Sequence, residues 1–274
     1  MRTSLVLNVA VVAMVLSAAA GCSVNPVTGK PELSLISEQQ EVAMGIESAP
    51  QFEKEFGGKV PDAALQNYVQ TLGKKVAAVS DRPELPWEFQ LVATKTPNAF
   101  ALPGGKVFVT AGLFGSLTNE RQLVAVLGHE IGHICARHNI QGMQRQMGAG
   151  LLVELAGQLA GDKADIAKAA TSVVGNMAVL KYSRKDEYQA DDLGIAYMER
   201  AGFNPWGMVE TLQFLMSLGE KDESKFAEMF QTHPLTSERV KKAQAAVTSR
   251  HAGYAPSQGD PRAKAFMDMR TRLR

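Results

Sequence analysis

The run Gly128-His129-Glu130-Ile131-Gly132-His133 sets the terms on which this chain can fold. It lies in a segment whose apolar residues, Leu123, Val126, Leu127, Ile131 and Ile134, recur at helical spacing. Asn119 with Gln122 forms a helix-capping pattern, so the sequence predicts one helix from Asn119 to about Arg145. On that helix His129 and His133 share a face, one turn apart, and can grip one Zn2+. Glu130 then sits beside them, placed to work on a metal-bound water. Two ligands do not hold a catalytic zinc, so the fold must bring a further donor to this face. Gly128 and Gly132 lie four apart on the helix, each costing roughly 0.5–1 kcal/mol relative to Ala. That cost makes sense if another backbone packs closely against them.

The third donor is not the histidine of an H-x-x-G-x-x-H continuation, because Ala136 and Asn139 stand where that pattern needs Gly and His. His138 falls five residues past His133, about 140° around a continuous helix, and reads as a surface histidine. Cys135 points away from the metal face and reads as a small buried hydrophobe. Ser183-Arg184-Lys185-Asp186-Glu187-Tyr188-Gln189-Ala190-Asp191 offers Glu187 and Asp191, again four apart on one helix face. Glu187 is available to bind zinc while Asp191 accepts the N–H of a ligand histidine. The ordinary reading of such acids, a solvated helix face, stands beside this one.

The rest of the chain reads as one domain with a leader. With 274 residues, 45% apolar, it can bury a sizeable core, and a net charge of +1 argues against nucleic acid as partner. Residues 1–21 carry Arg2, an apolar run and small residues, the pattern of a signal peptide. Gly21-Cys22 resembles a bacterial lipobox, so Cys22 is the expected lipidation site; an ordinary cleaved signal is the alternative. Ser23 in place of an aspartate then favours the periplasmic side of the outer membrane. Residues 22–36 read as lipid anchor and extended lead, 37–250 as the domain, and 251–274 as a polar tail, extended or loosely helical. Capping residues Ser37, Asp62 and Ser183 open helices, and residues 148–180 read as close-packed soluble helices. A helix from Asn204-Pro205 runs to about Leu218, followed by a loop through His233-Pro234. Residues 87–93 alternate as a strand, and 98–102 with 106–110 form a hairpin about Pro103-Gly104-Gly105. Asn98, Ala99, Phe100, Ala101 and Leu102 are the candidate edge strand to which an extended peptide could add. The fold class is therefore α+β, mainly α.

Taken together, the motifs resemble a known family. Gly128 to His133, Ser183-Arg184 through Glu187 to Asp191, and His233-Pro234 with Arg239 resemble the signature of the HtpX-like and CAAX-prenyl-protease-like zinc metallopeptidases. Asn98 to Gly105 and Asn25-Pro26-Val27-Thr28-Gly29-Lys30 resemble its periplasmic lipoprotein branch. The resemblance covers roughly residues 23–250. It implies a gluzincin fold, His129, His133 and Glu187 on one zinc per chain, and Glu130 as general base. His233 and Arg239 become candidates to stabilise the oxyanion. His233 could instead occupy the open position on zinc, or only shape its loop. The implied function is cleavage of unfolded or misassembled envelope proteins, with protein substrates and the membrane as partners. A zinc-stabilised chaperone or binding module, and a latent protease held closed by His233, are the alternatives.

Overall fold

The computed structural model describes residues 21–158, 163–250, 253–255 and 259–273. Helices dominate, around one three-stranded sheet. The first strands, β1 (Gly21–Val24) and β2 (Pro31–Ser34), form an antiparallel hairpin with Cys22 opposite Leu33. The residues of the expected signal peptide, Gly21 apart, lie outside the described residues. Helix α1 (Glu38–Glu55) begins at a full capping box between Ser37 and Gln40, and α2 (Ala63–Ala77) begins under the Asp62 side chain. Strands β3 (Glu88–Val92), β4 (Ala99–Leu102) and β5 (Lys106–Thr110) make a sheet in the order β3-β5-β4. β3 runs parallel to β5 and β4 antiparallel, so the expected hairpin is present and β4 is an edge strand. Its turn needs glycine: Gly104 has φ 69° and a Cβ there would lie 2.5 Å from the Val42 Cα of α1.

The sheet divides two apolar layers. Alternate residues Ala99, Ala101, Val107 and Val109 join the larger core. Phe100, Leu102 and Phe108 turn the other way, where Phe52 packs edge-on to Phe100 and tilted against Phe108. After the short α3 (Ala111–Ser116), helix α4 (Glu120–Cys135) crosses the larger core, capped by Asn119. Every residue from Gln122 to Cys135 is buried. Its histidines and glutamate are therefore inside the protein, not on an exposed stripe.

Helix α4 ends earlier than its periodicity suggests. The chain leaves it at Ala136, turns at Arg137 with φ 59°, and restarts as α5 (His138–Gln158). A left-handed non-glycine residue costs roughly 1–2 kcal/mol. Contacts repay it: Arg137 donates to Glu41 Oε2 at 3.0 Å and to the Ile36 carbonyl at 2.7 Å. Arg82, only 1% exposed, pairs with the same Glu41 at 2.8 Å and donates to the Ile134 carbonyl, which also accepts the Arg137 N–H at the end of the helix. The lead hairpin closes over this end, with Asn25 Nδ2 reaching the Ala136 carbonyl at 3.4 Å.

Helices α6 (Lys163–Ala178) and α7 (Arg184–Arg200) follow, α7 opening on a capping box between Ser183 and Asp186. α7 packs on α4 at the expected glycines. A Cβ on Gly128 would lie 3.3 Å from Gly194 Cα, and one on Gly132 only 2.9 Å from the Ala190 carbonyl oxygen. Beyond it come α8 (Trp206–Lys221), α9 (Glu223–Thr232), α10 (Ser237–Arg250) and α11 (Ala263–Arg270). α9 replaces most of the loop expected before His233; Asp222 caps it by accepting from the Lys225 N–H. The C-terminal stretch is docked by α11, whose fully buried Phe266 lies against Phe114 and Tyr68. Among the described residues no helix is long and apolar enough to cross a membrane.

Candidate metal centre

Helix α4 supplies His129, Glu130 and His133, α7 supplies Glu187 and Asp191, and the segment from α9 into α10 supplies His233 and Arg239. His133 and Glu187 are fully buried and His129 is 8% exposed. His129 Nε2 stands 3.0 Å from His133 Nε2, and His133 Nε2 stands 3.2 Å from Glu187 Oε1. His233 Nδ1 completes the group, 3.4 Å from His129 Nε2 and 3.1 Å from Glu187 Oε1. One ligand atom from each of the four residues fits within 4.8 Å of all the others.

These spacings suit a small cation. Donors at zinc bond lengths of 2.0–2.2 Å in a tetrahedron lie about 3.3 Å from one another. The chemistry of the set agrees with the distances. The Asp191 carboxylate, 2.9 Å from His129 Nδ1, puts the ring hydrogen there and leaves Nε2 as a lone pair. A bare nitrogen, a second imidazole nitrogen and a carboxylate oxygen facing one another at about 3 Å need a proton or a cation between them, and a metal ion would satisfy all of them at once.

Around the cluster the charges are tied down. Arg239 grips Asp191 with two donors, Nε to Oδ2 at 2.8 Å and Nη2 to Oδ1 at 2.7 Å, while Nη1 pairs with Glu187 Oε2 and reaches the Pro234 carbonyl. The guanidinium is thus turned onto carboxylates, not held free for an oxyanion. Burial alone would raise the Glu187 and Asp191 carboxyls, yet Arg239 holds Asp191 below the usual range and Glu187 well below it. Glu130 behaves oppositely. Burial pushes its carboxyl up, against the pull of His233 and His129, and its Oε2 has no hydrogen-bond partner.

Two neighbours of His133 escape sequence reasoning. His138, read as a surface histidine, is 1% exposed with Nδ1 3.0 Å from His133 Nδ1. The reason is the turn at Arg137: a continuous helix would have carried His138 around to another face, whereas the left-handed residue folds it back. Tyr182 lays its ring on the His133 imidazole, 3.9 Å between centroids and 28° between planes. No local pattern announces Tyr182: it stands just before the N-cap Ser183, but the fourth helical residue is Glu187, not an apolar partner. Cys135 is buried and takes no place in the cluster.

Beside Glu130 lies a small cavity of about 50 Å³, with Val126, Leu212, Leu215, Met229 and Phe230 on its apolar side and His129, Asp191 and His233 on its polar side. Asn98 and Ala99, at the start of the edge strand, reach the same cavity. Asn98 also donates to Glu228 Oε1 on α9 at 3.2 Å, and Phe100, Ala101 and Leu102 are buried.

Comparison with known proteins places this architecture. The family model described as Peptidase family M48 matches residues 63–247. Among individual proteins, the chain is 31% identical to the beta-barrel assembly-enhancing protease of Yersinia pestis over 80% of its own length and 46% of that protein's. It is 30% identical to the mitochondrial metalloendopeptidase OMA1 of Schizosaccharomyces pombe, over 79% of this chain and 64% of that one. With metalloprotease LoiP of Escherichia coli the identity is 28% over 57% of this chain and 60% of the relative. The chain spans about half the length of the first of these relatives.

Proposed function

The chain belongs to peptidase family M48 and is a zinc metallopeptidase, and from that premise we propose that it is an endopeptidase acting on unfolded or misassembled proteins of the cell envelope. The observation that carries this reading is the buried four-donor cluster with Glu130 beside it. In this reading His129, His133 and Glu187 hold the metal, and Asp191, clamped by Arg239, fixes the His129 ring. Zinc, when bound, supplies Lewis acidity at this point. Glu130 takes the proton from the attacking water, and its raised carboxyl makes it a better proton acceptor near neutral pH than an ordinary glutamate. His233, whose Nε2 is 3.9 Å from Glu130 Oε1, is the candidate donor to charge developing on the substrate carbonyl. Arg239 serves by positioning the carboxylates.

Substrate preference follows from the walls of the site. The apolar side of the cavity suits a side chain of the kind that folded proteins keep inside and unfolded ones expose. The edge position of β4 suits main-chain pairing with an extended segment, which carries little sequence preference. The name of the Yersinia relative, a beta-barrel assembly-enhancing protease, supports a place in the cell envelope, and the Gly21-Cys22 pattern supports a lipid anchor on the periplasmic side of the outer membrane.

A second reading rests on His233. Its Nδ1 stands among the metal donors, where it would fill the position a substrate needs, and on this reading His233 keeps the enzyme closed and latent. Metal analysis paired with casein cleavage tests the main reading. We expect about one zinc per chain, cleavage lost with chelator, and a loss of at least ~100-fold in Glu130→Gln with zinc retained. Undiminished cleavage by Glu130→Gln would overturn it, and zinc binding without any cleavage would favour a zinc-stabilised binding module.

A further inference from the structure

We propose that His138 is a positioning residue for the metal centre: it accepts the Nδ1–H of His133, hands a hydrogen bond on to Gln189, and so keeps His133 Nε2 bare for the metal. The proposal rests on the reading of the cluster as a metal site. His133 Nδ1 and His138 Nδ1 are 3.0 Å apart, and His138 Nε2 is 3.2 Å from Gln189 Oε1. Two facing imidazole nitrogens form a hydrogen bond only if one carries hydrogen and the other does not. The other side of His133 decides which. Its Nε2 faces His129 Nε2 and Glu187 Oε1 and must be a lone pair to coordinate, so the hydrogen sits on Nδ1. His138 Nδ1 is then the acceptor, its hydrogen is on Nε2, and the Gln189 carbonyl oxygen receives it. Run the other way, the relay would put a hydrogen on His133 Nε2, in the middle of the donor set.

The surroundings favour a neutral link. His138 is 1% exposed, and burial lowers its basicity despite Asp186 nearby. The Asp186 Oδ1 is 4.0 Å from His138 Nε2, while Oδ2 takes the Ser183 N–H and Arg145. Tyr182 fixes the remaining freedom by stacking on the face of the His133 ring. The two α4 imidazoles are therefore held by unlike partners. His129 leans on a carboxylate, Asp191, and His133 leans on another imidazole, which draws less on its N–H. A neutral partner leaves His133 the weaker electron donor of the two and the metal the stronger Lewis acid.

Competition between the protein and a chromophoric chelator for zinc alone provides the test. His138→Leu is expected to weaken zinc binding ten- to a hundredfold. His138→Asn, which sets an amide oxygen near the place of Nδ1, is expected to restore most of that loss. Gln189→Leu, which leaves both histidines in place, is expected to cost less than His138→Leu. Long-range nitrogen-15 NMR of the zinc-loaded wild type should show His138 with hydrogen on Nε2 and a bare Nδ1. Unchanged zinc affinity in a folded His138→Leu, or hydrogen on His138 Nδ1, overturns the proposal. Should His138→Leu fail to fold, an unaltered affinity in Gln189→Leu or the wrong tautomer does so. Wild-type protein that binds no zinc would instead remove the metal-site reading itself, a separate result.

Discussion

His233 stands between the donor cluster and Glu130. It reaches the donor cluster with Nδ1 and Glu130 with Nε2, so one ring can either block the metal or assist the reaction. Replacing it separates the two roles. If it holds the enzyme closed, His233→Ala should raise casein turnover severalfold; if it stabilises charge in the transition state, turnover should fall by roughly 100-fold. The rate measured in the variant decides, and an unchanged rate would leave His233 only its loop. The same scale shows what could be read in advance. His129, Glu130 and His133 were legible because residues four apart on a helix share a face that can hold a metal, and Glu187 with Asp191 because they repeat that spacing. His138 was not. Its place depends on a left-handed Arg137, a conformation usually announced by glycine and here held by Glu41, 96 residues away.

Among the elements, the crossing of α4 and α7 governs the geometry of the site. Gly128, Gly132 and Gly194 let the two backbones approach until a Cβ on Gly194 would sit 3.1 Å from the His129 backbone nitrogen. That closeness brings Glu187 and Asp191 within reach of two histidines on the facing helix. Gly132→Ala puts a methyl 2.9 Å from the Ala190 carbonyl oxygen, and a helix backbone cannot yield as a side chain would. We expect a loss of about 1–3 kcal/mol in urea unfolding, with weaker zinc binding as the helices part. Unchanged stability and metal affinity would show the crossing to be slack. Most helix starts were legible from their caps, Ser37, Asp62, Asn119 and Ser183 among them. The sheet's parallel β3–β5 pairing was not, since which strands become neighbours depends on contacts far apart in sequence. α9 was missed although Asp222 caps it, because the apolar pattern of α8 fades before it.

For the molecule as a whole, the site is also a fastening. Arg239 on α10 binds both acids of α7, and their carboxyls are held below the ordinary values of 4.5 for Glu187 and 3.8 for Asp191. A carboxyl depressed in the folded state contributes stability that is fully present above its unfolded pKa and is lost as pH falls through its folded one. Metal-free protein should therefore lose urea stability as pH drops below about 4, and Asp191→Asn should flatten that fall. An acid limb of the same steepness in the variant would assign it to other groups. The span of the site has a further consequence. Its histidines lie up to 104 residues apart, and Arg239 comes later still. A chain emerging from its N-terminus holds His129 and Glu130 long before the segment that completes the cluster exists. Metal capture is therefore tied to finished folding. Synthesis itself acts as a timing device: the site is assembled only once the chain carrying it has finished folding.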